Sequence, residues 1–179
     1  LVSINAPSET EGTDLGFSVT LCNPVDVALT ADRATADGTA TTGGSDYTGL
    51  GTSNVELFAA GSTAALSIPV ITTGDTTVEL DETLSLILSN LAASGRSVTF
   101  SGGGATLTGT GTIGNDDSAV ISINAPSETE GTDLGFSVTL DNPVDVALTA
   151  DRATADGTAT TGGSDYTGLG TSNVELFAA

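Results

Sequence analysis

The chain has 179 residues, 38% of them apolar, which is enough for one ordinary domain or two small ones with a buried core. It carries 23 acidic residues against three arginines, has no lysine or histidine, and has a net charge of -20 at pH 7. This composition excludes the basic surface that binds nucleic acid or an anionic membrane. It also excludes histidine-dependent nucleophiles, lysine Schiff bases and the commonest zinc ligand, so we expect no enzyme.

Short stretches of alternating apolar and polar residues run through residues 1–119 and predict seven β-strands. Polar turns separate them, and no stretch has the periodicity of a long amphipathic helix. The pattern predicts an all-β fold, a seven-stranded antiparallel sandwich of immunoglobulin-like type. In chain order, the alternating apolar residues are Val2 and Ile4; Phe17, Val19 and Leu21; Val27, Leu29 and Ala31; Val55 and Leu57; Leu66, Ile68 and Val70; Leu84, Leu86 and Leu88; and Leu107 to Ile113.

Residues 1–60 recur as residues 120–179, and 57 of the 60 positions are identical. The chain therefore contains one complete repeat, residues 1–119, and the N-terminal half of a second, residues 120–179. We expect the remaining half to follow in a longer parent protein. Because the two copies are nearly the same, residues 61–119 could complete the copy before them or be exchanged with another copy. The three differences are Leu1 against Val120, Val2 against Ile121, and Cys22 against Asp141.

The acidic residues of the first repeat are concentrated at one end of the predicted sandwich. If successive strands are antiparallel, the loops after the first, third and fifth strands and the exit of the seventh share that end. Neighbouring carboxylates repel each other unless a cation compensates, and Ca²⁺ takes about six to eight oxygen ligands, often from several loops. An oxygen-only donor set favours Ca²⁺ over zinc or copper. Eleven of fourteen acids lie there: Glu9, Glu11, Asp14, Asp37, Asp46, Asp75, Glu79, Asp81, Glu82, Asp116 and Asp117.

Two other interpretations of these sequences are open. Acidic loops can be solvated surface, and an acid-rich chain without lysine can reflect a saline habitat.

Within the acidic group we expect Glu9, Asp14 and Asp81 to be peripheral. Residues 109–114 match a dinucleotide-binding glycine pattern, but they lie in a Thr/Gly strand rather than between a strand and a helix, so we set that match aside.

Seven short motifs follow one another along the first repeat, and the second repeat contains the early ones again. They are TEG (10–12), FSVTL (17–21), ATADGTA (34–40), GSDYT (44–48), ELDET (79–83), LSN (88–90) and GTIGNDD (111–117). In this order they resemble the Calx-beta domain, a calcium-binding repeat named from sodium/calcium exchangers and common in bacterial surface proteins. Each motif alone is unspecific, and the resemblance lies in the series.

The resemblance implies a ligand set for Ca²⁺ at the end of the sandwich where the acids gather. Gly74 and Asn115 stand where exchanger-type domains tend to carry aspartate, which implies fewer or more weakly held ions. We interpret Asp46 and Tyr47 as structural, a loop acid and a packed ring. The implied ligands are Glu11, Asp37, Asp75, Glu79, Glu82, Asp116 and Asp117, and in the second repeat Glu130 and Asp156, whose further partners have no counterpart within residues 120–179.

These observations predict a non-enzymatic, Ca²⁺-binding tandem β-sandwich repeat. We expect it to be a rigid spacer or stalk in a large secreted or cell-surface bacterial adhesin or extracellular matrix fibre. Almost no linker separates Asp117 from Val120, so a bound cation should stiffen the joint. Its partners are then the neighbouring repeats of the same chain. No apolar run is long enough to insert into a membrane.

Two alternatives to a spacer are open. The first is a calcium-sensing pair of domains in which binding changes the inter-domain angle; two copies this similar argue against it. The second is a self-assembling extracellular filament of identical chains, in which residues 61–119 of one chain complete residues 120–179 of another.

Overall fold

The computed structural model describes residues 1–178, and its contacts divide them into two units. Unit 1 comprises Leu1–Asp75 and Leu80–Asp116, and unit 2 comprises Thr76–Glu79 and the chain from Asp117 onwards. In the described part of the chain there is no helix with the length and apolar character needed to cross a membrane.

Unit 1 consists of two β-sheets, and the all-β sandwich predicted from the sequence is confirmed. A three-stranded sheet has the order β1-β3-β6, and a five-stranded sheet has the order β2-β8-β7-β4-β5. The strands are β1 (Val2–Ile4), β2 (Ser8–Thr10), β3 (Leu15–Leu21), β4 (Leu29–Asp37), β5 (Ser53–Phe58), β6 (Leu66–Val70), β7 (Glu82–Ala92) and β8 (Thr106–Gly114).

The first predicted strand corresponds to β1, and the loop expected after it contains a further strand, β2, which belongs to the other sheet. β1 pairs antiparallel with β3, whereas β2 pairs parallel with β8 in an otherwise antiparallel arrangement. The chain leaves the first sheet at Asn5. The side-chain oxygen of Asn5 accepts a hydrogen bond from the Ser18 N–H (2.6 Å). The carbonyl of Pro7 then accepts from the Thr112 N–H in β8 (3.0 Å). Proline has no N–H to donate, which suits a residue at the crossover between two sheets.

The core of unit 1 follows the period-two alternation of β3 and β7. Alternate residues of β3 are buried, and Phe17 is fully enclosed. On β7 the leucines at positions 84, 86 and 88 are buried. Each such side chain contributes about 1.5–3 kcal/mol by leaving water. The core therefore joins the two sheets and leaves the polar loops at their ends.

The described residues of unit 2 form four strands, which make two antiparallel pairs. β9 (Ile121–Ile123) pairs with β10 (Val138–Leu140), and β11 (Leu148–Arg152) pairs with β12 (Ser172–Phe177). Val78 forms a parallel bridge with Val144 and exchanges two backbone hydrogen bonds with the chain around it. Unit 2 thus repeats the strand pairs that residues 1–60 form among themselves.

Candidate metal centre

The strand register brings the acidic loops of unit 1 to one end of its sandwich. Asp37, the last residue of β4, lies opposite Leu84 near the start of β7. β7 begins at Glu82, opposite Ile113 near the end of β8. β2 ends at Thr10, beside Gly114. We call this region the acidic end: the β2–β3 and β4–β5 loops, the part of the β6–β7 loop that belongs to unit 1, and the exit from β8.

Two of the predicted ligands, Glu11 and Asp75, meet at the acidic end. A carboxylate oxygen of each lies within 4.8 Å of the other. The Asp75 N–H donates to Glu11 Oε2 (3.0 Å), and the Glu11 N–H donates to the carbonyl of Gly114 (3.0 Å). Glu11 is half-buried and Asp75 is exposed. The β2–β3 loop is therefore held to both the β6–β7 loop and the exit from β8.

Close backbone packing positions this pair. Gly12 has φ +71°, and a Cβ on Gly74 would lie 3.3 Å from the Cα of Gly12. The Thr72 hydroxyl donates to the carbonyl of Thr13 (2.9 Å). Glycine at position 74 thus permits the two loops to touch.

Thr72 is a positioning residue that our sequence analysis missed. It is 6% exposed and continues the inward-facing series begun by Ile68 and Val70. A hydroxyl on a buried face needs a hydrogen-bond partner, and here the partner is a loop carbonyl. A polar residue in phase with a buried strand face was the signal that could have revealed it.

The exit from β8 is held by Asp81, which we expected to be peripheral. Its Oδ1 accepts the Asn115 N–H (3.1 Å), so it orients the backbone just before the next two acids. Asp116 is exposed and Asp117 is half-buried. Glu82 and Glu79 are also half-buried; Glu79 and Asp117 belong to unit 2 by their contacts.

Asp37 is held in a different set of contacts. It accepts hydrogen bonds from the Tyr47 hydroxyl (2.6 Å) and the Thr42 N–H (3.1 Å). These bonds, first that from Tyr47, lower the pKa of Asp37, so it remains ionised in mild acid. Among the residues that the structure describes, Asp37, Glu82 and Asp116 do not belong to the group of acidic residues whose carboxylate oxygens lie within 4.8 Å of one another.

Asp46 and Tyr47 have the structural roles that the sequence predicts. Asp46 Oδ2 accepts the Thr41 N–H (2.6 Å) and closes the β4–β5 loop. Tyr47 is 3% exposed, and its burial, followed by the hydrogen bond to Asp37, raises its pKa to about 12. The ring is packed in the core while its hydroxyl orients a carboxylate at the surface.

In unit 2 the local part of this arrangement is repeated. Asp156 accepts the Tyr166 hydroxyl (2.7 Å) and the Thr161 N–H (3.0 Å), and its pKa is lowered for the same reason as that of Asp37. Glu130, the counterpart of Glu11, is exposed. The Asp–Tyr hydrogen bond therefore forms from nearby residues alone.

No arginine of the chain lies in the loops of the acidic end. Arg33 is in the middle of β4, and Arg152 is in unit 2. Arg96 is at the opposite end of unit 1, where its guanidinium donates twice to Asp26 (2.8 and 2.9 Å) and lowers the pKa of that carboxyl. Closely spaced oxygen donors without a cationic side chain fit a hard divalent cation.

Comparison with known proteins establishes the family. The Calx-beta domain matches residues 5–117 and again residues 115–174. No curated protein matches the chain. Among solved structures, the apo form of the Calx CBD1 domain is 18% identical, with a TM-score of 0.53, and the match covers 65% of this chain and 96% of that one.

Two further structures are similar. The calcium binding domain CBD12 of CALX1.1 is 16% identical, with a TM-score of 0.54 and coverage of 98% of this chain and 70% of that one. CBD12 from CALX1.2 is 18% identical, with a TM-score of 0.53 and coverage of 65% and 45%. At these identities the likeness shows a common fold. Because the family matches two consecutive segments that together span most of the sequence, the chain belongs to the Calx-beta domain family.

Proposed function

We propose that this chain is a non-enzymatic, Ca²⁺-binding tandem Calx-beta repeat that serves as a rigid extracellular spacer. The observation that carries the proposal is the convergence of Glu11 and Asp75, whose carboxylate oxygens lie within 4.8 Å of each other in loops without a basic side chain. Such proximity is costly for two ionised carboxylates and becomes favourable when a cation lies between them.

The remaining predicted ligands would complete the coordination. Glu82 begins β7 at the acidic end, and Asp116 follows the backbone that Asp81 orients. Asp37 is ionised and oriented by Tyr47. One solved relative is itself described as a calcium binding domain, which supports Ca²⁺ as the ion.

Ca²⁺ would act through linkage between binding and folding. An ion held by several loops binds the folded state and not the unfolded chain, so it stabilises the folded state by mass action. Extracellular calcium modules commonly bind with dissociation constants of about 10⁻⁴ to 10⁻³ M. At calcium concentrations of that order, an extracellular site would be filled and its loops held together.

The spacer role in a secreted or cell-surface adhesin or matrix fibre is supported by the near-identity of the repeats. A binding module that distinguishes partners benefits from divergent copies, whereas a spacer needs only length and stiffness. The two residues between Asp117 and Val120 leave little linker to bend. Length and stiffness of this kind would be useful at a cell surface or in an extracellular fibre.

The metal role is tested by unfolding the full chain in excess Ca²⁺ and in EDTA. We expect Ca²⁺ at ten and one hundred times its dissociation constant to raise the free energy of unfolding by about 1.4 and about 2.7 kcal/mol. Glu11→Gln should remove most of this gain. The twin change Glu130→Gln is the matched control and should retain it, because residues 120–179 repeat Glu11 and Asp37 as Glu130 and Asp156 but contain no counterpart of the other predicted ligands.

Mg²⁺ at equal concentration controls for screening of the net charge of -20. Identical unfolding curves in Ca²⁺ and EDTA would refute the calcium role.

Small-angle scattering of the same samples separates a spacer from a sensor. Two discrete shapes that interconvert with Ca²⁺ would favour the sensor, whereas one shape with reduced flexibility supports the spacer.

A further inference from the structure

The two edge strands β5 and β6 leave a cleft between them on one side of unit 1. β5 ends the five-stranded sheet and β6 ends the three-stranded sheet, so the cleft lies between the edges of the two sheets. Its volume is about 240 Å³. We call it the edge cleft. None of the residues that line it belongs to the acidic end, so it is separate from the candidate metal centre.

Arg33 enters the edge cleft from the core face of β4. It lies opposite Leu88 of β7, which is 0% exposed, and opposite Ser53 of β5. Residues directly opposite each other in an antiparallel pair project to the same face of the sheet. Ala31, two positions earlier on β4, is also fully buried. The side chain of Arg33 therefore leaves β4 between the two sheets and lines the edge cleft.

One donor of the Arg33 guanidinium is left without a protein partner. Its Nε is buried and has no hydrogen-bond partner among the described residues. Arg96, by contrast, donates to both carboxylate oxygens of Asp26 (2.8 and 2.9 Å). Buried polar groups are normally hydrogen-bonded and buried charges are normally paired. Arg33 therefore supplies the edge cleft with a positive charge and an unused donor.

The walls of the edge cleft are mostly aliphatic. Val55 of β5 and Leu66 of β6 are half-buried, and Ile68 of β6 is buried. Pro69 adds an apolar ring at the rim and has no N–H to donate. Among the described residues that line the cleft, only Glu56 is acidic, and it is exposed. A molecule in the cleft would therefore meet aliphatic side chains and one guanidinium.

We propose that the edge cleft binds a short aliphatic carboxylate, with Arg33 as its counter-ion and its chain against the side chains of β5 and β6. The planar guanidinium fork matches a carboxylate. A single negative charge suits the site better than a phosphate dianion, because Glu56 and the net charge of -20 repel a dianion more strongly. The volume is below the roughly 300–1,000 Å³ of pockets for drug-sized ligands, so the aliphatic chain is short.

The test adds hexanoate to the unaltered 179-residue chain and follows the arginine side chains by NMR. The chain has three arginines, so it gives only three Nε–Hε signals, which single-arginine variants assign. At constant ionic strength, hexanoate should shift the signal of Arg33 and leave those of Arg96 and Arg152 in place. We expect a dissociation constant of about 1–10 mM, because so small a ligand makes few contacts. Equal shifts of all three signals, or no shift, would overturn the proposal.

Three other ligands separate the contributions of the charge and of the aliphatic chain. 1-Hexanol keeps the chain and lacks the charge, whereas acetate keeps the charge and lacks most of the chain. Each should bind at least tenfold more weakly than hexanoate. Equal binding of 1-hexanol would overturn the ion pair with Arg33, and equal binding of acetate would overturn the role of the aliphatic walls. Tighter binding of hexyl phosphate than of hexanoate would contradict the preference for a single charge.

Variants of the two arginine twins locate the site. Arg33→Gln should weaken hexanoate binding at least tenfold. The matched control is Arg152→Gln, which makes the same charge change in the same local sequence and should bind normally. Arg152 is exposed, and its Nε donates to the Ser172 hydroxyl oxygen (3.4 Å). Unchanged binding by Arg33→Gln would overturn the assignment of the counter-ion.

Glu56→Gln provides a second test that does not alter an inward-facing residue, because Glu56 is exposed at the rim. Removal of its negative charge should tighten hexanoate binding by about two- to threefold and leave 1-hexanol binding unchanged. This result would support an anion beside Arg33 even if Arg33→Gln disturbs the fold. An equal effect on both ligands, or no effect on hexanoate, would contradict an anion in the edge cleft.

Discussion

Residues 1–60 and 120–178 have almost the same sequence, yet they differ in strand content. β3 extends over Leu15–Leu21, whereas its twin β10 retains only Val138–Leu140. β4 extends over Leu29–Asp37, whereas β11 stops at Arg152, the twin of Arg33. The three residues of β2 have twins at 127–129 that form no strand.

The lost strand residues are those whose partners lie in residues 61–119. In unit 1 the first half of β3 pairs with β6, the last part of β4 pairs with β7 alone, and β2 pairs with β8. Strand pairs formed within the half repeat persist with the same register: Ala150 lies opposite Val174 as Ala31 lies opposite Val55. Strand formation in this sequence therefore depends on a paired neighbour more than on the propensity of each residue.

The largest expected difference between the units is at the paired phenylalanines. Phe17→Ala should lower the free energy of unfolding by about 3–5 kcal/mol, because it removes a fully buried ring and leaves a cavity. The twin Phe136→Ala should change it by less than about 0.5 kcal/mol, because that ring is already exposed. Urea denaturation of both variants of the 179-residue chain measures the contrast, and equal losses would show that unit 2 has a packed core in solution.

A smaller difference is expected at a pair of turn glycines. In both units this glycine donates its N–H to the alanine two residues later, Ala40 or Ala159 (3.1 Å in each case). A Cβ on Gly38 would lie 2.3 Å from the carbonyl oxygen of Thr83, whereas one on Gly157 would meet nothing within 4 Å.

Gly38→Ala should therefore cost about 1–3 kcal/mol through backbone displacement. Gly157→Ala should be neutral or stabilise by up to about 1 kcal/mol, since alanine restricts the unfolded chain. Thermal unfolding of the two variants compares them directly. A comparable loss in both would mean that the turn itself, and not contact with β7, requires glycine.

The smallest expected difference concerns the two tyrosines, which are the only ones in the chain. Tyr47→Phe should cost about 1 kcal/mol at neutral pH by removing the hydrogen bond to Asp37. Because the pKa of Tyr47 is raised from 10.0 to about 12, folding favours the neutral phenol. The associated stabilisation is present below pH 10 and is lost as the pH rises through about 12.

Single-tyrosine variants make this measurable by phenolate absorbance. With Tyr166→Phe, the remaining Tyr47 should ionise only near pH 12, as the protein loses stability. With Tyr47→Phe, the half-buried Tyr166 should ionise earlier, because its raised pKa comes first from the hydrogen bond to Asp156 rather than from burial. Coincident titrations of the two phenols would contradict the difference in burial.

Several features of the site could be read from the sequence because they depend on strand order. Counting alternate strand ends was enough to gather the acidic loops at one end, and the register of β4, β7 and β8 places them there. The contact between Glu11 and Asp75 was beyond that reasoning. It depends on the approach of Gly12 to Gly74 and on the bond from Thr72 to Thr13, which join loops 59 residues or more apart in sequence.

By itself, the sequence determined the features that form between near neighbours: the alternating strand faces, the hairpin-like pairs that unit 2 retains, and the bond between Asp156 and Tyr166. Only the tertiary structure decided that the loop after the first strand adds β2 to the second sheet, and how far β3 and β4 extend. The physical reason is the same for the assignment of strands to sheets and for the length of the strands. A strand edge and an apolar face gain free energy only when a distant segment pairs with the edge and covers the face, so the strands of a nearly identical sequence are shorter and more exposed where that segment is not packed against them.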